Sequence, residues 1–130
     1  MIVLDASAAL EVLLRTDAAM IVEQRVFAAR ETLHAPHLLD IEVAQVVRRY
    51  VGRGMMDSAR GREVIDDLLA FPIQRYPHDV LLPRVYDLRD NLTAYDAVYV
   101  ALAEALEAPL VTRDVRLAQA PGHEARVELL

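Results

Sequence analysis

Short apolar runs, each too brief for a helix, alternate along this chain with stretches of helix length, and that spacing limits the folds open to it. Ile2-Val3-Leu4 stops at Asp5, where Ala6 to Arg15 takes up helical character. Leu33-His34-Ala35, closed by Pro36, Ile73 to Tyr76, closed by Pro77, and Leu110-Val111-Thr112 repeat the theme, with a last short strand at Arg126 to Leu129. Between them the apolar spacing predicts helices from Asp17, read as an N-cap, to Ala29, over Leu38 to Tyr50 with Gly52 and Gly54 as the stop, and over Asp57 to Ala70. Two more follow over Asp79 to Asp90 and Ala94 to Glu107. Strands separated by whole helices cannot pair as hairpins. Parallel pairing through right-handed crossovers follows, hence a three-layer α/β/α sandwich around a short central parallel sheet.

With 130 residues and 55 % hydrophobic content, the chain fits one compact domain over 1–130. The absence of Cys rules out disulfides and thiolate metal sites. All 14 basic residues are Arg, so any chemistry requiring lysine is excluded. No uncharged stretch reaches the ~20 apolar residues of a membrane span. The start Met1-Ile2-Val3-Leu4-Asp5 lacks a positive leader, so a soluble, cytoplasmic protein without a membrane role is expected. The net charge of −6 repels polyanions globally, so nucleic acid would need a local Arg surface, for which Arg48, Arg49, Arg53, Arg60 and Arg62 are candidates.

In a parallel sheet, ligands gather just beyond the carboxyl ends of the strands. Asp5 and Asp114 lie at or just past such ends, Asp96 opens the helix before the Leu110 strand, and Glu42 lies early in the helix after Pro36. If adjacent strands bring them together, four carboxylates face one pocket. Two carboxylates ~4 Å apart at an effective dielectric of ~20 repel by roughly 4 kcal/mol, so such a cluster calls for a cation or bound protons. Oxygen donors without thiolate favour Mg²⁺ or Mn²⁺, which suits phosphodiester hydrolysis. Each acid also has a plainer reading. Asp5 and Asp114 can cap helices, Thr93-Ala94-Tyr95-Asp96 fits a capping box, and Glu42 can be a solvated helix residue. Asp40 points to another face and reads as surface or cap, and Pro36 between His34 and His37 argues against a histidine metal site.

These surroundings resemble the PIN-domain pattern along the chain. Met1-Ile2-Val3-Leu4-Asp5-Ala6-Ser7-Ala8 resembles the family's opening strand and first Asp, and Leu38-Leu39-Asp40-Ile41-Glu42-Val43 the segment carrying its Glu. Tyr95-Asp96-Ala97-Val98-Tyr99-Val100-Ala101-Leu102-Ala103 is similar to its most recognisable helix, and Leu110-Val111-Thr112-Arg113-Asp114 to its closing strand and last Asp. The resemblance is to PIN-domain ribonucleases of the VapC toxin type. It implies a metal-dependent endoribonuclease in which Asp5, Asp96 and Asp114 ligate Mg²⁺ or Mn²⁺ and Glu42 completes the catalytic quartet. It further implies supporting roles for Ser7, Thr112, Thr93 and Arg113. Leu117 stands where some relatives carry another acid, which favours a single ion. The resemblance also implies a homodimer, a VapB-like antitoxin partner and an RNA substrate, often tRNA. A receiver-type phosphoacceptor domain is disfavoured by the missing lysine, and a haloacid-dehalogenase site by Ser7 where its second Asp would stand. A catalytically silent PIN-like binding module is the remaining alternative.

Overall fold

A computed structural model describes residues 1–130. Five strands, β1 (Ile2–Leu4), β2 (Leu33–Pro36), β3 (Ile73–Tyr76), β4 (Leu110–Thr112) and β5 (Val127–Leu129), form one sheet in the order β3-β2-β1-β4-β5. Every neighbouring pair is parallel. Val3 stands opposite His34 on one side and Leu110 on the other, so β1 is the middle strand. All three β1 residues are fully buried, as a strand covered on both faces requires.

The helices are α1 (Ala6–Leu13), α2 (Ala19–Val26), α3 (Leu38–Gly52), α4 (Ser58–Ala70), α5 (Leu82–Asp87), α6 (Ala94–Leu106) and α7 (Val115–Gln119). α1 packs on α2, α3 and α4, while α5 packs on α6, which lies against β1, β2 and β4. Residues Ala97 to Ala103 of α6 are buried without interruption. These mostly small and branched side chains leave no charged stripe, so the middle of this helix belongs inside the molecule, while its first and last turns reach the surface. One apolar cluster of 32 buried residues joins the sheet to both groups of helices.

Two helix assignments differ from the sequence expectation. Asp17 caps nothing: α2 starts after Ala18, which makes no side-chain cap. The segment expected as one helix from Asp79 to Asp90 is a 3-10 turn, Asp79–Leu81, followed by the shorter α5. Pro83, in the first turn of α5, has no N–H to offer a preceding helical turn, so the α-helix begins there. α3 borrows its cap from tertiary structure, since His37 provides none and the Leu38 N–H instead donates to His78 Nε2 at 2.9 Å. No helix is long and apolar enough to cross a membrane.

Candidate active site

The strand order reverses direction between β1 and β4: β2 and β3 were laid down on one side of β1, β4 and β5 on the other. Crossovers leave that point on opposite faces of the sheet, which opens a crevice at the carboxyl ends of the two strands. Asp5 ends β1 and Asp114 follows β4 by two residues, so both stand at this crevice. The Asp5 N–H donates to the Val111 carbonyl at 3.2 Å, which fixes the two strand ends against each other.

Asp5 is only 5 % exposed, and its environment is built to hold an anion. Ser7 Oγ donates to Oδ1 at 2.7 Å, the Ala8 N–H donates to Oδ1 at 3.0 Å, and Thr112 Oγ1 donates to Oδ2. Ser7 Oγ accepts the Arg113 N–H at 2.9 Å, and Thr112 Oγ1 accepts the Asp114 N–H at 2.9 Å. The two hydroxyls thus tie the β1–α1 junction to the β4–α7 junction. Burial pushes the Asp5 carboxyl above its ordinary value; the three donors oppose this and the charge of Asp114 adds to it.

Glu42, half-buried in the second turn of α3, accepts the Tyr99 hydroxyl on Oε1 at 2.7 Å. Its pKa is raised by burial first, then by the charges of Asp96 and Asp5, against the lowering effect of Tyr99. Asp96 is raised by burial and by Asp114, with the Thr93 hydroxyl opposing. The acids of four separate segments therefore feel one another's charge. Three of them also sit at helix starts: Asp5 caps α1, Asp114 caps α7 through the Arg116 N–H at 2.8 Å, and Asp96 lies in the first turn of α6. The partial positive ends of those helices offset part of the repulsion. The capping and site readings of these residues are compatible, because a carboxylate has two oxygens with two lone pairs each, and a cap uses only part of them. At Asp96 only half of the capping box forms: the Asp96 N–H donates to Thr93 Oγ1 at 3.2 Å, and the carboxylate makes no return bond.

The donor set suits a hard divalent cation, being carboxylate oxygen throughout with hydroxyls behind it and no thiol. As the side chains stand, no three acids or histidines close around a common point. None of the five principal surface cavities is lined by these acids.

Some supporting residues fall differently from expectation. The Arg113 guanidinium turns away, to Glu11 at 3.8 Å and to the Leu130 carbonyl, so only its main chain serves the site. Thr93 is exposed and acts through the α6 cap. Leu117 is in the core and its N–H faces the Asp114 cap, so it offers no ligand there. Asp40, expected as surface or cap, pairs with Arg75 Nε at 2.8 Å and so ties α3 to β3. His34 is buried between Thr32 Oγ1 at 2.8 Å and Tyr76 OH at 2.7 Å, away from the acids. Sequence reasoning gave Tyr99 no role; the available signal was a phenol in the Ala- and Val-rich part of the helix, one turn after Asp96.

The PIN domain family model matches residues 2–122. Over 130 residues, all of this chain and 99 % of the relative, the sequence is 45 % identical to Ribonuclease VapC12 of Mycobacterium tuberculosis. It is 47 % identical over 117 residues to Ribonuclease VapC9 of the same organism, covering 90 % of this chain and 88 % of that one. Among solved structures, VapBC2 from Rickettsia felis bound to a promoter DNA fragment matches 99 % of this chain and 98 % of that chain. Its TM-score is 0.73 at 14 % identity, a likeness of fold alone. A family model spanning nearly the whole sequence, and full-length relatives at this identity, establish that the chain belongs to the PIN-domain family, among the VapC ribonucleases.

Proposed function

We propose that this protein is an endoribonuclease, the toxin of a toxin–antitoxin pair, that hydrolyses RNA phosphodiester bonds in the cytoplasm with Mg²⁺ or Mn²⁺ held by Asp5, Asp96 and Asp114. The observation that carries this reading is the placement of Asp5 and Asp114 at the reversal point of the sheet, with Ser7 and Thr112 holding Asp5 and Tyr99 of the Asp96 helix holding Glu42. The bound cation would supply positive charge that acidifies a nearby water and offsets charge developing on the phosphoryl oxygens. Ser7 and Thr112 fix the Asp5 carboxylate, so its oxygens need not reorganise as charge moves. Glu42, with Oε1 held by Tyr99, keeps Oε2 free to orient the attacking water and take its proton as the phosphorus–oxygen ester bond breaks.

The partner that fits this reading is a VapB-like antitoxin, with the toxin itself a homodimer; solved neighbours include toxin–antitoxin complexes. The test is cleavage of total RNA by purified, antitoxin-free protein in Mg²⁺, Mn²⁺ or EDTA, alongside Asp5→Ala and Asp96→Asn. Metal-dependent cutting that both variants lose is the expected result. A folded wild-type protein that binds RNA and cuts nothing under either metal would make it a binding module instead.

A further inference from the structure

Tyr99 is 2 % exposed and sits among Ala97, Val98, Val100 and Ala101, a setting in which a phenol is an expensive choice unless its hydroxyl has a partner. The only partner it has is Glu42 Oε1, at 2.7 Å. That bond crosses from α6 to α3, two helices that both pack on β2. One turn upstream on the same helix lies Asp96, so α6 presents Asp96 directly and governs Glu42 through Tyr99.

We infer that Tyr99 is a positioning residue for the cleavage reaction: its hydroxyl clamps Glu42 Oε1 and thereby aims Oε2 at the water beside Asp5 and Asp96. This inference rests on the ribonuclease reading above. Glu42 is surrounded by like charge, from Asp96 and Asp5, and without the clamp its flexible side chain would swing outward to solvent. A hydroxyl donor answers both problems. It favours the ionised carboxylate that a base must be, and it spends a single oxygen in doing so. Tyr99 would then act on catalysis without touching RNA or metal.

The experiment uses the purified full chain with Mn²⁺ as the metal probe and compares wild type, Asp96→Asn, Tyr99→Phe, Glu42→Gln and the double variant Tyr99→Phe/Glu42→Gln. Cleavage kcat and KM, Mn²⁺ affinity by calorimetry and melting temperature are read for each. Tyr99→Phe is expected to lower kcat by about 10–100-fold, the range typical of partners that orient a site carboxylate. KM and Mn²⁺ affinity should stay within about twofold, and the loss should vanish in the Glu42→Gln background, where there is no base left to aim. Replacing Tyr99 with 4-aminophenylalanine, which keeps a para donor and the ring's packing, should restore most of kcat and serves as the arm that remains readable if the Phe variant melts too low. An unchanged kcat in folded Tyr99→Phe overturns the inference, as does an equal loss in the Glu42→Gln background. So does a parallel fall in Mn²⁺ affinity, which would make Tyr99 a prop for the whole site, or a folded 4-aminophenylalanine protein with no recovery. All of these leave the ribonuclease reading intact, whereas a wild type that does not cut, or an Asp96→Asn protein that does, removes that reading and the role of Tyr99 with it.

Discussion

Two groups of carboxylates in this protein live under opposite rules. Glu31, just before β2, and Glu128, in β5, share the Arg25 guanidinium of α2 at 2.9 and 2.7 Å, and the amino terminus meets Glu31 at 3.1 Å. On the α5–α6 pair, Arg84 holds Glu104 at 2.7 Å. Those three acids are pulled below their ordinary range, first of all by their arginines. At the carboxyl ends of β1 and β4, Asp5, Glu42 and Asp96 have hydroxyl and N–H partners but no cationic side chain, and all three are pushed upward, chiefly by burial. The nearest guanidinium in sequence, Arg113, is turned to Glu11 instead. Paired acids serve the fold; the unpaired ones tax it, as acids reserved for the cationic ligand proposed above would.

The sharpest test of this contrast is Asp96→Asn. It should cut RNA cleavage by about 100-fold or more while raising the metal-free melting temperature by about 2–4 °C, because it removes repulsion along with function. A variant that loses stability as well would place Asp96 among the structural acids. Arg25→Ala is the mirror experiment. It strands Glu31 and Glu128 and should cost about 1–2 kcal/mol in denaturant unfolding with cleavage unchanged. Next in size, Ser7→Ala removes a donor from Asp5 and a partner from the Arg113 N–H, for about 1 kcal/mol of stability together with a loss of activity that Arg25→Ala does not show.

The smallest effect is in the pH profile of the metal-free protein. For Asp5, Glu42 and Asp96 the folded pKa lies above the unfolded one, so between those values the folded state holds more protons and stability falls as pH rises. For Glu31, Glu104 and Glu128 the folded pKa is lower, so their stabilisation is full above the ordinary carboxylate range and is lost as pH falls through the folded values. Thermal melts in EDTA should therefore peak at mildly acidic pH, and Asp96→Asn should flatten the decline towards neutrality. A profile that rises steadily to neutral pH would mean that the site acids are not strained.

Much of this was legible before any coordinates. Ile2-Val3-Leu4 and Leu110-Val111-Thr112 are apolar runs of strand length, and Asp5 and Asp114 stand where a helix needs a cap, which both provide. Local chemistry suffices for such features. It failed at Asp17 because many residues can cap a helix and only packing decides which turn begins it. It failed across Pro83 because apolar periodicity ran on through a residue that breaks the backbone ladder.

The sequence by itself pointed to the parallel α/β architecture, since strands divided by whole helices cannot pair as hairpins and crossovers favour parallel neighbours, and it determined which acids lie at strand and helix ends. Only the tertiary structure decided that the strands run β3-β2-β1-β4-β5, which puts Asp5 and Asp114 on neighbouring strands at the reversal point. It also decided that Arg113 faces away, that Asp40 is consumed by Arg75, and that Tyr99 reaches Glu42 across 57 positions of chain. The reason is physical: periodicity and capping act over a few residues, whereas the charge felt by a carboxylate depends on which distant segments the core brings beside it.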